Sequence, residues 1–254
     1  MSGGELKMTE TWLVLGGSSA IARSFARAAA GDGADLLLAG RDRDDLDLSA
    51  ADLRIRTQRR VEVVDFDALD FDSHAGTIRR AKEFAGDGTL NIFLAFGFMP
   101  LQEEINASRD LARRVVDINY TAVVSLLQEA APIFEAQKRG AVVVVGSVAG
   151  DRGRPKNYVY GSAKAAVAAF MQGYRGRMFR AGVTVTTVKP GIIDTAMTWG
   201  LPGVKGGASP DIVAKDSLAA AKKGREVIYT PWPWRYIMAI VKAIPERVFK
   251  RLDF

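Results

Sequence analysis

Tyr160 and Lys164 stand four residues apart in Tyr160-Gly-Ser-Ala-Lys164. On a helix that spacing sets both side chains on one face. A phenol of pKa ~10 is a poor proton carrier at neutral pH. An ammonium beside it favours the phenolate and is expected to bring that value down. Such a pair can hand a proton to a carbonyl oxygen as hydride reaches the carbon, and take it back in reverse. The spacing alone is common, so context decides. Ser147, in Val145-Gly-Ser-Val-Ala-Gly150, lies 13 residues before Tyr160 at the end of an apolar run. Its hydroxyl is suited to hold the same carbonyl. Asn119, within Asp117-Ile-Asn-Tyr-Thr121, falls inside a helical pattern that it suits poorly. A local kink is expected there, with a water relay toward Lys164.

Other segments suit a dinucleotide. The first apolar run leads into Gly16-Gly17-Ser18-Ser19-Ala20-Ile21-Ala22. Small residues between a strand and a helix let a pyrophosphate rest on helix N-terminal N–H groups. Gly16, Ser18, Ser19 and Ile21 are the expected contacts, although a tight turn filled for packing reads the same way. The second run ends Leu38-Ala39-Gly40-Arg41. A carboxylate there would bind a ribose 2′-hydroxyl; Arg41 instead offers a planar cation suited to a 2′-phosphate. NADPH is therefore the expected cofactor, with Arg43 as a helper. In Lys189-Pro-Gly-Ile-Ile-Asp-Thr195, Pro190 and Gly191 turn the chain across the nicotinamide, Ile193 follows, and Thr195 caps the next segment or meets the pyrophosphate.

Parallel strands would position these groups. Apolar runs at 11–15, 34–39, 61–65, 91–95, 141–145, 183–188 and 227–229 lack polar alternation, the mark of strands covered on both faces. Helical patterns at 20–31, 43–56, 73–86, 108–137, 158–181 and 209–223 separate them. The alternation predicts a single α/β domain, a doubly wound, seven-stranded parallel sheet of the Rossmann type, over 1–230. Ligands of such sheets collect beyond the carboxyl ends of the strands.

The chain has 254 residues and no cysteine, which excludes disulfides, thiolate catalysis and cysteine-held metals. Its one histidine, His74, follows an aspartate-rich stretch and reads as a solvated surface residue. No metal site is expected. The net charge is +6, but Lys and Arg are scattered until the C-terminal region and form no nucleic-acid surface. No signal segment and no run of the ~18 apolar residues needed to span a bilayer are found, so the expected compartment is the cytoplasm.

Over 11–230 the chain resembles the short-chain dehydrogenase/reductase family. The phosphate turn, Asn119, Ser147, Tyr160/Lys164 and Pro190-Gly191 carry the resemblance by order and spacing. It implies Asn119, Ser147, Tyr160 and Lys164 as the catalytic set. It also implies an adenine contact at Asp67 and Ala68, and at Gly97 the last glycine of a turn after strand four. The chain departs from the family pattern at Ala20, Ala22, Leu94 and Ala95, where glycines and asparagines are usual; the methyl of Ala20 points where phosphates approach. The resemblance further implies a homodimer or homotetramer through the helices at 108–137 and 158–181, whose apolar faces (Ala163, Ala166, Val167, Phe170 and Met171) look broader than one core requires.

A finer resemblance, to decaprenylphosphoryl-2-keto-ribose reductases, rests on Gly16-Gly17, Leu94-Ala-Phe-Gly97, Val159-Tyr-Gly-Ser-Ala-Lys164 and the tail Arg235-Tyr-Ile-Met238 through Leu252. It implies a lipid-linked keto-sugar as substrate. The tail, 231–254, mixes Trp232, Trp234, Tyr236 and Phe249 with Arg235, Lys242, Arg247, Lys250 and Arg251, as an interfacial helix does. Pro245 divides it into pieces too short to span. The tail is expected to rest on the inner face of the membrane, or else to pack in an assembly. The alternatives are a reductase of a soluble small ketone and a catalytically weak cofactor-binding regulator.

Overall fold

The computed structural model describes residues 8–199 and 206–252. Seven strands form one sheet: β1 (Glu10–Leu15), β2 (Asp35–Gly40), β3 (Val61–Asp65), β4 (Thr89–Leu94), β5 (Ala141–Val145), β6 (Thr184–Pro190) and β7 (Val227–Thr230). All are parallel, in the order β3-β2-β1-β4-β5-β6-β7. Ten α-helices accompany them among the described residues: α1 (Ala20–Gly31), α2 (Arg43–Thr57), α3 (His74–Ala85), α4 (Gln102–Ala107), α5 (Arg109–Val116), α6 (Ala122–Gln137), α7 (Tyr158–Phe179), α8 (Pro210–Lys222), α9 (Trp234–Ala243) and α10 (Glu246–Phe249).

Apolar side chains alternate to the two faces of the sheet and fill two cores. Leu13, Leu15, Leu37, Ile92 and Val142 lie in the core with α3, α6 and α7. Trp12, Val14, Leu36, Leu38 and Val143 lie in the other with α1, α2 and α8. Phe25 of α1 stacks on Phe93 of β4 at 3.7 Å. The chain runs outward from β1 to β3 and then returns to β4 beside β1, so the strand order reverses between β1 and β4. In open sheets of this kind ligands bind at such a reversal, beyond the carboxyl ends of the strands.

Three expectations change. The single helix at 108–137 is instead α5, a π-helical turn (Asp117–Thr121) and α6. Asn119 explains the break: its Nδ2 donates to Val115 O at 2.8 Å, occupying a carbonyl of the preceding turn. His74 is fully buried, with Nδ1 2.9 Å from Ser125 Oγ and the rings of Phe66 and Phe71 beside it. The aspartates before it are on the surface, but α3 turns its first residue inward. Ala163, Val167 and Met171 are buried in this chain's own core, so of the five residues read as a surplus apolar face only Ala166 and Phe170 stay partly open.

After β7 the chain folds back. Met238 of α9 and Phe249 of α10 are buried, while Trp232, Tyr236, Ile237, Ile240 and Val248 are exposed. No helix among the described residues is long and apolar enough to cross a membrane.

Candidate active site

The turn after β1 is pinned from below. Gly16 and Gly17 both donate to Ala39 O at 2.9 Å, and Ser19 N donates to Gly16 O at 2.9 Å. Gly16 has φ +80°, and a Cβ on it would fall 2.7 Å from Phe96 N. The backbones after β1 and β4 thus meet, which only glycine permits. Ser19 caps α1, its Oγ accepting from Ala22 N at 3.2 Å. Ser18 is exposed and Ile21 half-buried on the same turn. Ala20 is exposed at the first helical position, whereas Ala22 is buried against the sheet, so the two departures from glycine have different surroundings. Sequence reasoning missed Arg23, whose Nε donates to Ser18 O at 3.1 Å while its guanidinium pairs with Asp45. It clamps the turn from behind.

Arg41, past the end of β2, is exposed and has no ion-pair partner among the described residues. Arg43 is engaged with Asp47 at 2.8 Å and Asp65 at 3.6 Å. Asp67 Oδ1 accepts from Leu69 N at 3.0 Å, making a tight turn beside the buried Ala68.

Ser147 follows β5 and caps the short 3-10 turn Val148–Gly150, its Oγ accepting from Ala149 N at 3.0 Å. Tyr160 and Lys164 lie on one face of α7, exposed by only 6% and 4%. Lys164 Nζ donates to Val145 O at 3.2 Å and lies 5.7 Å from the centre of the Tyr160 ring. Asn119 is fully buried. It donates to Phe98 O at 2.7 Å and accepts from Phe98 N at 3.2 Å, so it fixes the strand-like segment that follows β4. Gly97 lies over it; a Cβ there would be 3.0 Å from Asn119 Oδ1 and 3.7 Å from Lys164 Nζ. These five residues converge at the carboxyl ends of β4 and β5.

Burial sets the titration of the pair. It pushes Tyr160 up to about 12, while a hydrogen bond with Ser147 pulls the other way. It pushes Lys164 down to about 8. The expected lowering of the phenol by the ammonium is not seen: burial raises Tyr160, and the pull in the other direction comes from Ser147 rather than from Lys164. At neutral pH Tyr160 keeps its proton and Lys164 keeps its charge. That is the state from which a proton can be given to an oxygen.

Pro190 ends β6 in register with Thr230, and Gly191 N donates to Thr230 O at 3.0 Å. A Cβ on Gly191 would fall inside the indole of Trp234, so the tail covers this turn. Only a contact between distant segments reveals Trp234 as a neighbour of the site. Lys189 pairs with the buried Asp151 at 2.5 Å, and Tyr229 donates to the same carboxylate at 2.6 Å. Arg152 reaches Glu246 at 2.6 Å and lies over the Phe249 ring at 4.3 Å. The segment after Ser147 therefore holds both the Pro190-Gly191 turn and the tail. Ile193 is buried and bridges to Ala208. Thr195 opens a turn, its carbonyl accepting from Thr198 N at 2.9 Å, rather than capping a helix within the described residues. Of the expected pocket loop at 196–209, residues 200–205 lie outside the described residues, as do 253–254 of the tail.

The chain is similar to known proteins. The family profile described as short chain dehydrogenase matches residues 10–203. An uncharacterized oxidoreductase of Mycobacterium tuberculosis is 34% identical over 241 residues, covering 94% of this chain and 96% of its own. One of Streptomyces coelicolor is 35% identical, covering 94% of each. A short-chain dehydrogenase from Sphingobium yanoikuyae, solved in complex with NADPH, is 26% identical with a TM-score of 0.75, over 93% of this chain and 97% of that one.

Proposed function

The chain belongs to the short-chain dehydrogenase family, and from that premise we propose that it is an NADPH-dependent reductase converting a ketone or keto-sugar to the alcohol. The observation that carries the proposal is the convergence of the Tyr160 phenol, the Ser147 hydroxyl and the Lys164 ammonium over Asn119 and Gly97. When bound, the nicotinamide supplies hydride. Every other task falls to this chain. Ser147 holds the carbonyl oxygen. Tyr160 gives that oxygen its proton, and Lys164 stabilises the phenolate left behind and holds a cofactor ribose. Asn119 positions the floor beneath Gly97.

The turn at 16–19 suits a pyrophosphate because it leads into the capped N-terminus of α1, where the helix presents its positive end. Asp67, Ala68, Pro190, Gly191, Ile193 and Thr195 are the further cofactor contacts of this reading. Arg41, exposed and without an ion-pair partner among the described residues where an acid would mark NAD, supports NADPH. NADPH in the Sphingobium relative is consistent with it.

The finer part of the proposal is a keto-sugar carried on a polyprenyl phosphate and met at the cytoplasmic face of a membrane. Its support is the tail: Trp232, Tyr236, Ile237 and Ile240 are exposed beside Arg235 and Lys242. The same proposal takes 1–230 as the dinucleotide-binding and catalytic unit and 231–254 as its substrate-side appendage.

Titrating NADPH and NADH against the protein, then following NADPH oxidation with keto-sugars in the Tyr160→Phe variant, tests the reading. NADPH binds more tightly, and Arg41→Ala narrows the gap. Tyr160→Phe loses roughly 10²–10⁴-fold in rate with cofactor affinity kept. A preference for NADH, or near-full activity in the Phe variant, overturns it.

A further inference from the structure

The segment joining Ser147 to Tyr160 carries three cations, Arg152, Arg154 and Lys156. Arg152 is engaged with Glu246 and Phe249. Arg154 differs. It is partly buried, and its Nε is shut off from water with no acceptor. Burial lowers its pKa, and no carboxylate among the described residues acts on it in the other direction. Asn157 ends the same turn, its N–H donating to Arg154 O at 3.2 Å, and holds a second buried atom without a partner, Oδ1. Asn157 sits at the N-cap position of α7 yet makes no capping bond.

A guanidinium nitrogen closed off from water without an acceptor is costly, and folded chains rarely keep an unmatched buried polar atom without a use for it. Arg154 and Asn157, six and three residues before Tyr160, present an unmatched donor and acceptor on one turn. The two residues that follow are held to α4: Val159 N donates to Gln102 Oε1 at 3.2 Å, and Tyr158 Oη donates to Asn106 Oδ1 at 2.6 Å. A guanidinium matches the paired oxygens of phosphate or carboxylate.

We propose that Arg154 docks an anionic oxygen group, phosphate or carboxylate, carried by the carbonyl substrate, while Asn157 accepts from a hydroxyl beside it. The word substrate rests on the reductase reading; the anion site itself does not. With NADPH saturating, so that the phosphate sites of the cofactor are filled, inorganic phosphate is titrated calorimetrically at constant ionic strength. The proteins compared are the wild type, Arg154→Gln and Arg154→Lys. Phosphate affinity falls about tenfold or more in Arg154→Gln, the range of a charge-assisted hydrogen bond, and is partly restored in Arg154→Lys. Equal affinity in wild type and Arg154→Gln overturns the proposal. If NADPH itself fails to bind, the reductase reading falls, and the same titration without NADPH still decides Arg154. Matched ketones then separate the two anions. Dihydroxyacetone phosphate against dihydroxyacetone, and levulinate against its methyl ester, give a KM advantage to the charged member of the pair that carries the right group. That advantage collapses in Arg154→Gln.

Discussion

A lysine held out of water beside a phenol carries its charge at a cost that pH can remove. The folded value for Lys164 is about 8, against 10.5 in an open chain. Between those values the unfolded state binds more protons, so stability contributed at this residue rises with pH through that window and is lowest below it. Lys164→Met should therefore stabilise the protein, measured without cofactor at pH 7, by roughly 1–3 kcal/mol. The gain should shrink toward zero as pH approaches 10.5, while reductase activity is lost. Thermal melts of both proteins from pH 7 to 10.5 check this; a gain that does not change with pH would show that packing, not charge, is responsible. Lys164 and Tyr160 were legible because their relation is local, four residues along one helix. His74 was not, because the direction in which α3 points its first residue is set by the packing of Phe66 and Phe71, not by the aspartates before it.

At the scale of elements, the junction of β6, β7 and α9 is the tightest near the site. Gly191 has no room for a methyl because Trp234 fills the space. Gly191→Ala should cost about 1–3 kcal/mol by overpacking. In a Trp234→Ala background the same change should be nearly neutral. A double-mutant cycle by urea denaturation measures the coupling, and additive costs would show that the two residues do not meet. The strands were readable because buried parallel strands are unbroken apolar runs, as in Val142-Val-Val-Val145. The short α4 was not: Gln102-Glu-Glu-Ile-Asn-Ala107 buries a single apolar side chain, Ile105, and shows no period. The kink at Asn119 was foreseen from its poor helix propensity; that the π-helical turn also ties down Phe98 depends on a chain segment 21 residues away.

For the whole molecule, the tail and the paired helices govern what it meets. A chain ending at Thr230 is a poor test of membrane contact, because it also removes the buried Met238 and Phe249. Replacing exposed Trp232, Tyr236 and Ile240 by serine keeps those contacts. Wild type should float with anionic vesicles at low salt and the triple variant should not; if both stay in solution, the lipid-linked substrate loses its main support. Light scattering at micromolar concentration should give a dimer or tetramer, with Phe170, packed beside Tyr174, and the 81%-exposed Phe179 as the apolar groups still available on α7. A strict monomer counts against the assembly.

The hold of Arg152 on Glu246 and Phe249, with Trp234 over Gly191, also bears on the order in which a ribosome delivers the parts. The turn after β1 emerges within the first twenty residues and Tyr160 well past the middle of the chain, but the wall over Gly191 arrives only with residues 234–249. A nascent chain can thus lay down the first strands of its sheet long before the Pro190-Gly191 turn is covered. A premature stop in the tail would release a protein with that turn left uncovered.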